Sequence, residues 1–446
     1  MIKRDKTVNW YFLSSLKQLF FSSSSHIHYY GRGIHDAPNP KEHELFDSST
    51  VAFENGDFYH GYHYFLQSLQ HLHTPHLTLK LHENNLEFIL AQGAAIIHGH
   101  CDKEVFSATS IIANSSSLNV TIKRHLLERN FQLTYANFSQ ENGTISLKIH
   151  LNTQTITPQK IFFPLRELAL NAAYEKEFIA SEYGQSPLLE MEHVMPLEPQ
   201  RLEYFYNIMM EWIDKTTQGL TGLLSNDNNG MASFSYLTLL LQIDYLLLPR
   251  KKIAKEINEK INSYFLDDEK LTLDKNNDLE NYLVELKNID FTFFCTQFYS
   301  APITFSPYDQ ASHEEVATFI DESLGKVRWY KNNHINYVIP IIYHYISLYS
   351  LYNYGLHPSL RALFHLHVQI YLPDFFQHEE GKIPYISKTG VFQKSAIIDA
   401  IEAAIQPYTK RHKNLRNFGD QLNFSDLEHF SQSFYQQLKT LDYQEV

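Results

Sequence analysis

Between Phe53 and Gly184 the hydrophobic period switches in a set order. A helical stretch is followed by three alternating stretches, a short helical stretch, two more alternating stretches and a long helix. Period 3.6 lays apolar residues along one stripe of a helix, whereas period 2 lays them on one face of a strand. The α-β-β-β-α-β-β-α order therefore predicts an α+β unit, helices set against a sheet, over residues 51–185.

The pattern can be followed residue by residue. Over Phe53–Gln70, Phe58, Tyr62, Phe65, Leu66 and Leu69 recur at helical spacing, Asn55 or Asp57 can cap the start, and Pro75 ends the run. His76–Leu81 and Leu86–Leu90 alternate around a Glu83-Asn84-Asn85 turn, and a third extended run covers Ala94–His100. A helix is predicted over Leu118–Arg129. Strands are predicted over Phe131–Tyr135 and Thr144–Leu151, with Asn142-Gly143, a pair suited to positive φ, closing a hairpin. The long helix is placed at Phe163–Ser181, with Leu165, Leu168, Ala169, Ala172 and Phe178 inward.

After Gly184 the texture becomes helical. Stretches at Arg201–Thr217, Phe234–Leu248, Lys251–Phe265 and Leu279–Leu286, then from Glu314, Ile341, Ser359, Phe392 and Asp426, carry the helical period, and Leu266–Asn277 reads as an exposed connection. Residues 186–446 are thus expected to form a mainly α-helical region. Residues 1–50 are expected to hold a leading amphipathic helix around Trp10, Leu13, Leu16 and Phe20, then a loop punctuated by Ser22–Ser25 and Gly31-Arg32-Gly33. That helix is expected to dock on the protein's own core, with a membrane surface as the alternative.

Composition narrows the role. A net charge of −13 repels phosphate backbones, so no nucleic-acid partner is expected. Two distant cysteines, Cys101 and Cys295, fit no disulfide framework, and a reducing, cytoplasmic location is expected. The most apolar stretch, Tyr337–Leu356, holds Pro340, His344, Asn353 and many tyrosines, too polar for hydrocarbon, so no integral membrane segment is expected.

The order over residues 53–184 resembles the type III secretion chaperone fold shared with the YbjN-like family, and in detail an uncharacterised Bacteroidetes branch. A Phe53-Glu54-x-Gly56-Asp57-Phe58 helix start precedes the first strand, and Pro164-Leu165-Arg166-Glu167 follows the last. Leu356-His357-Pro358-Ser359-Leu360 and Leu372-Pro373-Asp374-Phe375-Phe376 are grouped with the same proteins. The resemblance implies a sheet backed by helices that serves as a protein- or peptide-binding surface, often dimeric, and it supplies no catalytic residues.

No Gly-x-Ser-x-Gly, Ser-x-x-Lys, His-Glu-x-x-His or P-loop pattern occurs, and Gly31-Arg32-Gly33 is too short for a dinucleotide fingerprint. His98, His100 and Cys101 form the one run that alternation on a strand makes into a two-imidazole chelate, but no further pair completes a metal set. His344, between Tyr343 and Tyr345 in an apolar helix, reads as a core histidine. No cofactor and no metal are expected. The aromatic stripe Ile342, Tyr345, Ile346, Tyr349, Tyr352 has two readings: an inter-helix core, or a groove in which Tyr345, Tyr349 and Tyr352 grip a partner. The expectation is a non-enzymatic, chaperone-like binder of a protein or peptide, a second copy of the chain included. A structural or adaptor subunit is the first alternative, and a metal-dependent enzyme using His98 and His100 the second.

Overall fold

The structure is a computed structural model describing residues 30–32, 40–70, 76–183, 188–220, 229–412 and 415–443. The expected leading helix, His26, His28, His71 and His73 lie outside the described residues. The chain divides into two compact units, each discontinuous in sequence. The first takes residues 40–197 and 299–306, the second 30–32, 198–298 and 307–443.

In the first unit, helices α1 (Pro40–Glu54) and α2 (Phe58–Ser68) precede strands β1 (Leu77–Leu81), β2 (Leu86–Gln92), β3 (Ala95–Cys101) and β4 (Val105–Asn114). Helix α3 (Val120–Arg129), strands β5 (Asn137–Glu141) and β6 (Thr144–Asn152) and helix α4 (Pro158–Glu182) follow. The sheet is antiparallel, ordered β1-β2-β3-β4-β6-β5. The α+β class holds, with one strand more than the sequence reading placed before α3. That strand, β4, buries Phe106, Ala108, Ser110 and Ile112 on one side. Val105, Phe106, Thr109, Ile111 and Ile112 give it strand character, but the small residues Ser107, Ala108 and Ser110 interrupt the apolar signal.

The predicted strand at Phe131–Tyr135 is instead a turn. The Glu167 carboxylate of α4 accepts from the amides of Thr134 (3.0 Å), Tyr135 (2.7 Å) and Ala136 (2.8 Å), and the strand begins only at Asn137. The hairpin beyond it is as expected, with φ of 50° at Asn142 and 79° at Gly143. One core joins α1, α2 and α4 to the inner sheet face through Tyr62, Phe65, Phe88, Phe106, Leu147, Leu165 and Leu168. Gly99 is obligatory there, because a Cβ would fall 1.9 Å from the Phe88 ring.

A two-residue ladder, β7 (Met195–Pro196) with β8 (Tyr299–Ser300), closes the unit. It is a strand pair where the sequence promised none after Gly184. The buried Lys176 ammonium donates to the Leu189 carbonyl (2.7 Å), and burial brings its pKa down to about 8.

The second unit is helical: α5 (Pro199–Leu220), α6 (Asn229–Leu247), α7 (Lys251–Leu266), α8 (Thr272–Lys287), α9 (Phe291–Thr296), α10 (His313–Asn332), α11 (Ile339–Asn353), α12 (Pro358–Tyr371), α13 (Pro373–Glu380), α14 (Lys394–Ile405) and α15 (Leu427–Leu438). Helices α6 and α11 pack on each other at its centre; α5, α7 and α8 cover α6, while α10, α12 and α15 cover α11. Apolar residues surround α6 on all sides, which is the signature of a fully enclosed helix. Helix α8 begins at Thr272, inside the stretch read as a connection. Among the described residues no helix is long and apolar enough to cross a membrane, and the apolar stretch Tyr337–Leu356 is spent on α11 inside this unit.

Candidate functional site

The sequence-predicted tyrosines separate in space. Tyr345 is buried at 5% exposure, with Phe234 of α6 edge-on to it and Phe319 of α10 beside it. Tyr349 is half-buried against Phe319, Phe265 and Tyr345. These two residues pack helix on helix. Tyr352, at the end of α11, is half-buried, bonds Asn258 through its hydroxyl, and lies within the fields of Asp244, Tyr308 and Arg32. It therefore borders a polar cluster that the sequence reading missed.

That cluster gathers around a short piece of chain, Tyr30-Gly31-Arg32. The Tyr30 ring stacks on His365 (centroids 5.3 Å apart) and meets Phe376 edge-on (5.2 Å). The Gly31 amide donates to the Tyr245 carbonyl (2.7 Å), and Arg361 Nη2 donates to the Tyr30 carbonyl (3.2 Å). Arg32 donates through Nε (3.0 Å) and Nη2 (2.6 Å) to Asp244 Oδ1, and through Nη2 to the Pro249 carbonyl (2.9 Å). Only glycine suits the middle position, where φ is +72° and a Cβ would stand 2.7 Å from the Tyr245 ring.

Local folding places each group. Asp244 and Tyr245 come from enclosed α6, where Asp244 is buried and needs its Arg32 partner. Tyr308 sits on a loop tied to the end of α11: Gly355 donates to the Asp309 carbonyl (2.8 Å) and Ala311 to the Gly355 carbonyl (3.1 Å). Arg361 and His365, four apart on α12, share a face. Burial pushes the Tyr245 and Tyr308 hydroxyls above their usual range, lowers the Arg361 guanidinium, and pushes His365 down to about 4. At neutral pH the cluster thus holds neutral tyrosines, a neutral imidazole and two guanidinium groups.

The neighbouring acids are already paired. Asp244 takes Arg32, Glu379 takes Arg201 (2.8 Å), and Glu380 takes Lys382 (2.5 Å). Among the described residues no carboxylate pairs with Arg361.

A second polar network lies deeper. Tyr435 donates to the Tyr343 carbonyl (2.7 Å), so its oxygen accepts from His367 Nδ1 (3.1 Å) and from Ser347 (2.7 Å). His367 Nε2 then faces Ser431 Oγ (3.1 Å), to which Tyr371 donates (3.0 Å). Ser431 and His367 together have the composition of a nucleophile and its base, yet both are buried, at 0% exposure. With no access for substrate, the chain of bonds is structural. His344 completes it as a core histidine, donating from Nε2 to Gln242 Oε1 (3.1 Å) and stacked on Tyr371, and burial drives its pKa to about 3.

In the first unit, His98 and His100 share a face of β3 as their spacing requires, while Cys101 is buried. Each imidazole turns to its own carboxylate: His98 to Glu190 (2.8 Å) and His100 to Asp102 (3.0 Å). Among the described residues no group of three or more His, Cys, Asp or Glu could hold a metal ion. His76 donates to the Leu69 carbonyl (2.7 Å) just past the end of α2.

The chemistry within reach of the Tyr30–Arg32 cluster is recognition: a guanidinium with no carboxylate partner among the described residues, hydroxyls, and aromatic faces. Tyr30, Arg32, Asp244, Tyr308 and Arg361 were missed because they come from four separate places in the chain. One signal was legible, an arginine followed four residues later by histidine inside the apolar run Leu360–Tyr371. Comparison with known proteins finds no match, either to a protein-family model or to a curated protein.

Proposed function

We propose that this protein is a non-enzymatic binder of polypeptide, and that the cleft between α6, α12 and α13 is one of its binding elements. The observation that supports this reading is the grip on Tyr30–Arg32. A tripeptide more than 200 residues away in sequence, bent at Gly31, is held by hydrogen bonds to its main chain on both sides, a ring pocket for its aromatic side chain and an ion pair for its basic one. In peptide recognition, main-chain bonds supply affinity and side-chain pockets supply specificity.

The test is competition in trans. A labelled synthetic peptide spanning residues 26–37 is titrated into the full chain and into its Gly31→Ala variant. The variant's own segment is displaced by the clash with Tyr245, so micromolar binding is expected to the variant and weaker binding to the parent. No binding to a folded variant would remove the cleft as a polypeptide site.

The adaptor reading draws on a different surface. In the first unit Leu127, Phe131 and Tyr135 around the end of α3, and Tyr174 on α4, are 62%, 92%, 46% and 52% exposed. Large apolar side chains left in water in this way suit a partner interface. Light scattering and mass spectrometry of natively purified protein check it: a stoichiometric complex lost on Phe131→Ser supports an adaptor, and an unchanged complex removes this surface.

A further inference from the structure

We infer that strand β1 is the seam of a homodimer. Its outer edge pairs antiparallel with β1 of a second copy about a two-fold axis at Leu79, joining the two sheets into one. The inference uses neither the cleft around Tyr30–Arg32 nor the apolar surface around Phe131.

The sheet has two edges, β1 and β5. Along β1 the ladder with β2 fixes which backbone groups are already bonded. Ala91 donates to the His76 carbonyl (2.7 Å) at one end of the hairpin, and His82 donates to the Asn85 carbonyl (3.0 Å) at the other. Hydrogen-bonded and non-bonded pairs alternate in an antiparallel ladder, so the bonded pairs between these ends are Thr78–Ile89 and Lys80–Glu87. The N–H and C=O groups of Leu77, Leu79 and Leu81 therefore point out of the sheet. Among the described residues none of them meets a hydrogen-bond partner.

Edges are commonly guarded by proline, a bulge, a charge or a covering segment. Strand β1 runs in regular register with no bulge and no proline. Its one charge, Lys80, turns back toward its own sheet, with the ammonium 3.6 Å from the Glu87 carboxylate. Its leucines grade from buried Leu77 through half-buried Leu79 to Leu81, which is 50% exposed. The other edge is guarded: apart from Phe138, β5 consists of Asn137, Ser139, Gln140 and Glu141.

The register identifies the occupant. A two-fold axis at Leu79 sets Leu77 against Leu81 of the partner copy, Leu79 against Leu79, and Leu81 against Leu77. Each of these pairs exchanges two hydrogen bonds, so every outward group of the strand is satisfied. Leucine meets leucine on the inner face, and Thr78 stands opposite Lys80 on the outer one. An axis at Lys80 would set two ammonium groups directly opposite each other, and one at Thr78 would leave Leu81 beyond the end of the partner strand. The strand is thus its own complement in hydrogen bonding, apolar contact and charge. A strand pair this short buries less than the ~800 Å² per partner of a standard interface, which places the dimer in the micromolar range.

The experiment is sedimentation of the full chain from about 1 to 100 µM, with hydrogen exchange along β1 read at both ends of that range. A monomer–dimer equilibrium is expected. The Leu77, Leu79 and Leu81 amides should be slow at high concentration and fast on dilution, while those of Thr78 and Lys80, bonded within the sheet, stay slow throughout. Leu81→Pro removes an outward N–H and no ladder bond, a position that tolerates proline. It should abolish the dimer with circular dichroism unchanged, and Phe131→Ser should leave the dimer intact. A chain monomeric over the whole range overturns the inference, as does a dimer that survives Leu81→Pro. A dimer lost on Phe131→Ser instead moves the contact to the surface around α3 and also overturns the seam. Slow outward amides only in complex with a different protein overturn the second copy as occupant. Should Leu81→Pro fail to fold, the parent decides: outward amides that stay fast in the dimer overturn the seam, and amides that speed up on dilution uphold it.

Discussion

Single residues set the sharpest constraints. At Gly99 the absent side chain is what lets the Phe88 ring lie on β3. Gly99→Ala is expected to cost about 1–3 kcal/mol as overpacking, and Phe88→Leu in the same chain should recover part of it, both read from urea unfolding. The buried imidazoles of His344, His365 and His367 impose a direction on pH dependence. Their folded pKa values lie below the usual 6.5, so the unfolded chain binds protons first. The stability of their neutral forms is complete above about pH 7 and drains away as pH falls toward 4. The cost at pH 5 is about 2 kcal/mol per histidine, from 1.36 kcal/mol per pKa unit. Unfolding midpoints at pH 7 and pH 5 should differ accordingly, and His344→Gln should flatten the slope. An unchanged midpoint would show that these rings are accessible to protons in the folded state.

At the level of elements, local chemistry decides where a strand begins. Phe131, Leu133 and Tyr135 alternate as a strand would, but Phe131 is 92% exposed and the Glu167 carboxylate claims three successive amides of the turn. Those amides have no ladder partner left to find. Glu167→Ala should cost about 1–3 kcal/mol by leaving them without their charged acceptor, and Glu167→Gln less. Faster hydrogen exchange at residues 134–136 in Glu167→Ala is the confirming measurement. The Asn142-Gly143 hairpin was readable because its backbone requirement is local, two positive φ values met by the two residues best able to adopt them. Strand β4 was passed over although Val105, Phe106, Thr109, Ile111 and Ile112 suit a strand, because Ser107, Ala108 and Ser110 break up the apolar run between them.

For the whole molecule, the acidic balance predicts that neither duplex nor single-stranded nucleic acid is shifted by the protein at physiological salt; a band shift at micromolar protein would contradict it. By itself the sequence determined the α+β class, the turn from mixed to helical texture near Gly184, most helix positions and the fate of the apolar stretch Tyr337–Leu356. All of these follow from periodicity and composition, which act over a few turns of chain. The tertiary structure alone decided which aromatics are core and which border a site. Tyr345 and Tyr352 stand on the same helix in the same stripe, and only the neighbours brought by α6 and α10 distinguish them. The cluster at Arg361 is the extreme case. Its members come from residues 30, 32, 244, 308 and 361, and whether a charge is matched depends on which distant acids reach it, a property of packing that no local pattern carries.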